Sequence, residues 1–129
     1  MIGPDGRASV RTARVYDPPS PDDGYRLLIM RFWPRGVRKD AIDAWERDLA
    51  PSVELLRAYR NGRIEWEEFA RRYRAEVGGR QELLADLASR VRSGTVTLLC
   101  GCEDESRCHR TLLREMVEEL RGATMVLPD

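Results

Sequence analysis

Thr95-Val96-Thr97-Leu98-Leu99-Cys100, running into Gly101-Cys102-Glu103-Asp104-Glu105-Ser106-Arg107-Cys108-His109-Arg110, is the stretch on which the reading of the fold turns. Its first six residues are β-branched or apolar without alternation, the pattern of a strand buried on both faces. Beyond the loop, Leu112, Leu113, Met116, Val117 and Leu120 recur at helical spacing, so a buried strand feeds a helix through a cysteine-bearing turn. Upstream, Tyr25–Arg31 holds a second such run, Leu27-Leu28-Ile29-Met30, and residues 9–17 carry enough β-branched side chains for an edge strand. Helices are expected between these strands. Asp40 and Asp43 resemble a capping pair for a short helix carrying Ile42, Trp45 and Leu49 up to Pro51. Ser52 reads as the N-cap of a second helix, with Glu54 near its positive end and Asn61-Gly62 closing it. Trp66, Phe69 and Tyr73 form the core stripe of a third helix over 64–77, stopped by Gly78-Gly79. A fourth runs over 81–92 on Leu83, Leu84, Leu87 and Val91, with Gly94 at its end. Thr124 to Leu127 reads as a short final strand.

Strands joined through helices give an α/β fold: a single compact domain over 1–129 with a small, largely parallel sheet flanked by helices on both faces. Residues 1–8 are expected to be a loose N-terminal segment. The 129-residue length suits one domain, and 42% apolar residues suit a globular core. The 22 basic and 22 acidic residues cancel, so any site for an anion must be local. All the basic residues except Lys39 are arginine, as an evenly solvated surface would tolerate. There is no signal-peptide pattern and no apolar run of membrane-spanning length, so no membrane partner is expected. Three cysteines crowded between positions 100 and 108 fit a reducing cytoplasm better than a secreted disulfide framework.

Ligands of open α/β sheets collect beyond the carboxyl ends of the strands, and two loops fit that position, 31–40 and 100–109. In the second, Ser106 as N-cap would put Arg107, Cys108 and His109 in the first helical turn, where unpaired N–H groups favour a thiolate. Cys108 is then a candidate nucleophile or redox thiol, with His109 as its proton partner. Glu103, Asp104 and Glu105 oppose that reading, as three carboxylates close to an anionic centre. Cys108 to Arg114 matches a Cys-x5-Arg count, but the intervening residues begin an amphipathic helix and make no anion cradle, which argues against phosphatase chemistry. Cys100, Cys102, Cys108 and His109 are ligand types that suit zinc. Their spacing lacks a Cys-x2-Cys knuckle, and neighbours on a helix diverge by about 100°. Zinc is therefore possible but not favoured, and no other cofactor is expected. The remaining alternative is that these cysteines pack as small apolar residues.

The other loop, Arg31-Phe32-Trp33-Pro34-Arg35-Gly36-Val37-Arg38-Lys39, has four positive charges and no negative one. Arg31, Arg35 and Arg38 offer planar forks for phosphate or carboxylate, and Phe32 and Trp33 offer stacking faces. Alternatively, Trp33 packs under the loop and the arginines pair with nearby acids.

Several segments together resemble the YeaO-like family of small bacterial proteins: Leu28-Ile29-Met30-Arg31-Phe32-Trp33-Pro34-Arg35-Gly36-Val37, Trp45, Asp48-Leu49-Ala50-Pro51-Ser52, Trp66-x2-Phe69-x3-Tyr73-x2-Glu76 and the Thr-Val-Thr-Leu-Leu strand. The resemblance spans about residues 12–121. It implies a compact α/β domain and a cytoplasmic bacterial protein, but no activity, because the family is a domain of unknown function. An aspartate usual before the Arg-x-Trp-Pro-Arg-Gly element is replaced here by Met30. Cys100 with Cys108-His109-Arg110 looks like a cysteine-containing branch. The expected function is binding of a small anionic, phosphate- or nucleotide-like ligand between the two loops. Arg31, Arg35 and Arg38 would hold the anion, Trp33 would form a wall, and Cys108, His109 and Arg110 would line the opposite side. A non-enzymatic module binding nucleic acid or protein through the basic loop is one alternative, and a metal-binding or redox-thiol domain is another. Oligomeric state is not legible.

Overall fold

A computed structural model describes residues 9–126 of the protein, with side chains through residue 120. Four strands, β1 (Val10–Arg14), β2 (Tyr25–Leu28), β3 (Ala44–Trp45) and β4 (Val96–Cys100), form one sheet in the order β1-β4-β2-β3. Every pairing is parallel. The segment that decided the sequence reading is thus the central strand. All five residues of β4 are buried, which explains their unbroken apolar character. Thr97 is tolerated there because its hydroxyl donates to the Asp23 carbonyl at 2.7 Å. Asp23 is itself buried and ion-paired with Arg26. The edge strand expected over 9–17 is β1, and it does lie at the edge.

Four helices follow the expected punctuation closely: α1 (Val53–Arg60), α2 (Trp66–Gly78), α3 (Gln81–Ser93) and α4 (His109–Val126). Ser52 caps α1 by accepting the Leu55 N–H at 3.1 Å, and Asn61 ends it. The apolar stripes of all four helices meet Leu27, Ile29, Val96 and Leu98 in one core. Helices on both faces are therefore not what forms. The opposite face, with Val15, Leu28 and Leu99, is covered by Met30, Trp33, Val37 and Ile42 from the β2–β3 connection and by Trp45 of β3. Two tryptophans give that cover its bulk, packed edge to face with ring centroids 5.3 Å apart.

Two further expectations are corrected. Residues 40–49 form no helix: single 3-10 turns at Lys39–Ala41 and Arg47–Leu49 bracket the two-residue β3. The Asp43 N–H donates to the Arg26 carbonyl at 2.9 Å, and the Glu46 N–H donates to the Leu28 carbonyl at 2.9 Å. These bonds to β2 take the backbone groups that a helix would have used. The backbone of Thr124 to Val126 continues α4 rather than forming a strand. Leu127 and the expected loose segment 1–8 lie outside the described residues. Among the described residues no helix is long and apolar enough to cross a membrane.

Candidate functional site

Because every strand is parallel, the residues that leave β1, β2 and β4 emerge along one edge of the sheet. Pairing persists past the strand ends there, with Val15 N–H donating to the Cys100 carbonyl at 2.8 Å and Ile29 N–H to the Leu99 carbonyl at 3.1 Å. Tyr16, Met30 and Gly101 consequently converge: a Cβ at Gly101 would lie 3.4 Å from Tyr16 and 3.5 Å from Met30. They open into a cleft of about 420 Å³ that also reaches the ends of α1 and α4. Cys100, Cys108 and His109 are buried in its depth, whereas Phe32, Arg60 and Arg107 are exposed at its mouth.

The expected site residues divide. Arg31, Trp33, Cys108 and His109 line the cleft together with Cys100 and Cys102. Arg35, Arg38 and Arg110 do not: Arg38 pairs with Asp40 in solvent, and Arg110 is buried behind the cysteines. Arg31 spends its donors on the carbonyls of Pro51, at 3.2 Å, and Ala50, at 3.3 Å. It clips the basic loop to the Ala50-Pro51-Ser52 segment. The Trp33 indole donates to the Val37 carbonyl at 3.0 Å, so this ring packs under its own loop and presents a face to the cleft. None of Glu103, Asp104 and Glu105 lines the cleft. Tyr16, Tyr59, Arg60 and Gly101 are not among the expected site residues, and Met30 figures only as the replacement for the family's usual aspartate. Tyr16, Met30 and Gly101 could have been found from strand register alone, since each directly follows the last paired residue of its strand, Val15, Ile29 or Cys100. Nothing local marks Arg60 or Tyr59.

The turn before α4 also differs from expectation. Asp104, not Ser106, is the cap: its carboxylate accepts the Ser106 N–H at 3.0 Å and the Ser106 hydroxyl at 2.6 Å. A 3-10 turn spans Glu105–Arg107, Cys108 is extended at φ −138° and ψ 142°, and α4 begins only at His109. Cys108 is therefore outside the first helical turn, and the divergence of helical neighbours does not separate it from His109.

The sulfurs of Cys100, Cys102 and Cys108 all lie within 4.8 Å of one another, with Cys100 and Cys102 3.7 Å apart. Sulfhydryl hydrogen bonds from Cys100 and Cys108 favour a thiolate at Cys102 and hold its pKa well below that of a free thiol, helped by the positive charge of Arg110. The hydrogen bond to Cys102, with burial, pushes Cys100 up to about 11, and hydrogen bonds to Cys100 and Cys102, with burial, push Cys108 far above its ordinary value. Among the three, the environment favours negative charge on Cys102, the most exposed, over Cys108. Arg110 is 3% exposed and donates to the Cys102 carbonyl at 2.9 Å and to Cys108 Sγ at 3.6 Å. His109 Nε2 lies 2.6 Å from the Ile29 carbonyl, and Nδ1 lies 3.9 Å from Cys100 Sγ. Among the described residues the three sulfurs form the group that could hold a metal ion, and the imidazole flanks it beside Cys100.

The sequence profile of the "Active DUF488-N3 subclade" matches residues 10–121. The uncharacterized protein YeaO of Escherichia coli (strain K12) is 32% identical over 114 residues, covering 87% of this chain and 99% of YeaO. The uncharacterized protein Rv3073c of Mycobacterium tuberculosis (strain ATCC 25618 / H37Rv) is 37% identical over 110 residues, covering 84% of this chain and 92% of that protein. No solved structure matches the chain significantly. The motif residues shared with that family now have visible places, in the loop clipped by Arg31, the cap of α1 and the stripe of α2, and the chain belongs to the YeaO-like DUF488 family, within its N3 subclade.

Proposed function

We propose that the cleft binds a small ligand with an anionic, phosphate-like end and a planar or apolar body. The observation that carries this reading is the composition of the lining: Arg31, Arg60 and Arg107 contribute guanidinium groups, Phe32, Trp33 and Tyr59 contribute rings, and no carboxylate is present. Among the described residues neither Arg60 nor Arg107 makes a side-chain ion pair, so both are available to an incoming anion. Arg31 holds the basic loop in place, and its charge is partly met by Asp48 at 3.9 Å. The volume lies within the range of small-molecule sites, and apolar walls with a few placed charges are their usual make-up.

The test is calorimetric titration with inorganic phosphate, a nucleoside monophosphate and the matching neutral nucleoside. The monophosphate is expected to bind and the nucleoside to fail. Arg60→Ala and Arg107→Ala should each weaken the monophosphate by about tenfold, the loss of roughly 1.4 kcal/mol expected for one charge-assisted contact. Equal binding of the neutral nucleoside, or no binding of either anionic probe, would remove the proposal.

A further inference from the structure

We infer that Cys100, Cys102 and Cys108 supply the sulfur ligands of a binding site for one zinc ion in the depth of the cleft, with the His109 imidazole, beside Cys100, turning in as the fourth ligand. Tetrahedral zinc with zinc–sulfur bonds of about 2.3 Å requires its sulfur ligands to lie roughly 3.8 Å from one another. The Cys100–Cys102 separation is 3.7 Å, and the third sulfur completes a triangle no wider than 4.8 Å on any side. Three chain positions, two at the end of the central strand and one just before α4, deliver this triangle. The extended conformation of Cys108 is what turns its sulfur into it.

A second observation comes from the imidazole and is independent of the sulfurs. The Ile29 carbonyl can only accept a hydrogen bond, so His109 Nε2 carries a proton, and in the neutral ring the lone pair is on Nδ1. That nitrogen is the one 3.9 Å from Cys100 Sγ. A ring that donates one N–H to a main-chain carbonyl and turns the other nitrogen to the ion is the usual setting of a metal-bound histidine. Tyr73 packs against the ring with centroids 5.4 Å apart and limits its rotation.

Charge supplies the third argument. Arg110 is buried, its Nε has no partner, and among the described residues no carboxylate pairs with it. The sulfur cluster is the anionic partner within reach of this guanidinium, which lies 3.6 Å from Cys108 Sγ. Three thiolates and one Zn²⁺ carry a net charge of −1, which the single charge of Arg110 offsets. Binding releases the remaining thiol protons to solvent as the zinc–sulfur bonds form. The zinc ligands and the guanidinium rim are different residues, so this inference and the anion-binding reading fail separately: Arg60→Ala and Arg107→Ala are expected to keep full zinc content.

The experiment measures metal by inductively coupled plasma mass spectrometry in reduced protein purified without chelator or immobilised-metal resin, and then titrates Co²⁺ into the metal-stripped chain. One zinc per chain is expected, with Co²⁺ giving the intense visible bands of a tetrahedral site and sulfur-to-cobalt charge transfer. Cys102→Ser and Cys108→Ser should lose stoichiometric zinc, and His109→Ala should weaken zinc at least tenfold. Circular dichroism identifies any variant that fails to fold, and for such a variant protection of the wild-type thiols from alkylation by added zinc replaces it as the readout. Absence of zinc together with absence of the cobalt spectrum in folded, reduced protein overturns the inference. So does a different metal at full occupancy, or a stable disulfide between two of the three cysteines in reduced preparations.

Discussion

Tyr73 shows how much one atom does in this chain. Its side chain is fully buried, its ring lies in the stripe that also holds Phe69, and its hydroxyl donates to the Leu49 carbonyl at 2.7 Å. Burial raises the phenol well above its ordinary pKa, so it stays a protonated donor across the accessible pH range. Tyr73→Phe keeps the ring and leaves that carbonyl without its donor. We expect a loss of about 1–2 kcal/mol, read as a lower urea midpoint at unchanged slope, whereas a change within ~0.3 kcal/mol would show that the bond contributes nothing net. The stripe itself was legible, because a helical period exposes it in sequence. The partner of the hydroxyl was not, since nothing near Tyr73 points to Leu49. The cysteine cluster follows the same division: three thiols and the sole histidine stand out in sequence, but their meeting depends on Cys108 being extended and on the Ile29 carbonyl fixing the imidazole.

Helices announced themselves where their ends are chemically local. Ser52, Asn61, Gly79 and Gly94 mark caps that the structure keeps, because a cap is decided by residues within one turn. The short element over 40–49 was misread because its competitor is remote: Ile42, Trp45 and Leu49 satisfy a helical period, yet hydrogen bonds to β2 hold this segment extended. The start of α1 also reaches beyond itself. Glu76 on α2 accepts the Ser52 N–H at 2.9 Å and the Ser52 hydroxyl at 2.6 Å, while the same hydroxyl oxygen accepts from Leu55. Ser52→Ala therefore removes a helix cap and a charge-assisted bond together, and about 2 kcal/mol of stability should go with them. Glu76→Ala made in the Ser52→Ala background should then cost less than it does in the wild type, with a coupling of about 1 kcal/mol in a double-mutant cycle. Strict additivity would mean that the two helices are not tied at this point.

At the scale of the whole molecule the strand order is the controlling fact. β4 is formed by the last part of the chain and stands at the centre of the sheet, so β1 pairs with it alone, Val10 opposite Val96 through Arg14 opposite Cys100. Without β4, β2 keeps only the pairings Leu27–Ala44 and Leu28–Trp45. The same residues 95–126 supply α4, whose Leu112, Leu113 and Val117 close the core over the other helices. Parallel pairing between segments so distant in sequence carries a large loop-closure entropy, and it is recovered only when the central strand is in place. A chain ending at residue 94 should thus have no cooperative unfolding transition, even though α1, α2 and α3 are intact in its sequence. Its near-ultraviolet circular dichroism should lack the signal of the packed pair Trp33 and Trp45, whose support on Leu28 and Leu99 depends on the same strand. Adding a peptide of residues 95–129 should restore both properties, since it brings β4, the cysteine turn and α4 in one piece. A cooperative urea transition in the truncated chain alone would show that the helical layer folds without its sheet, and the central strand would then be an addition to the fold rather than its organiser.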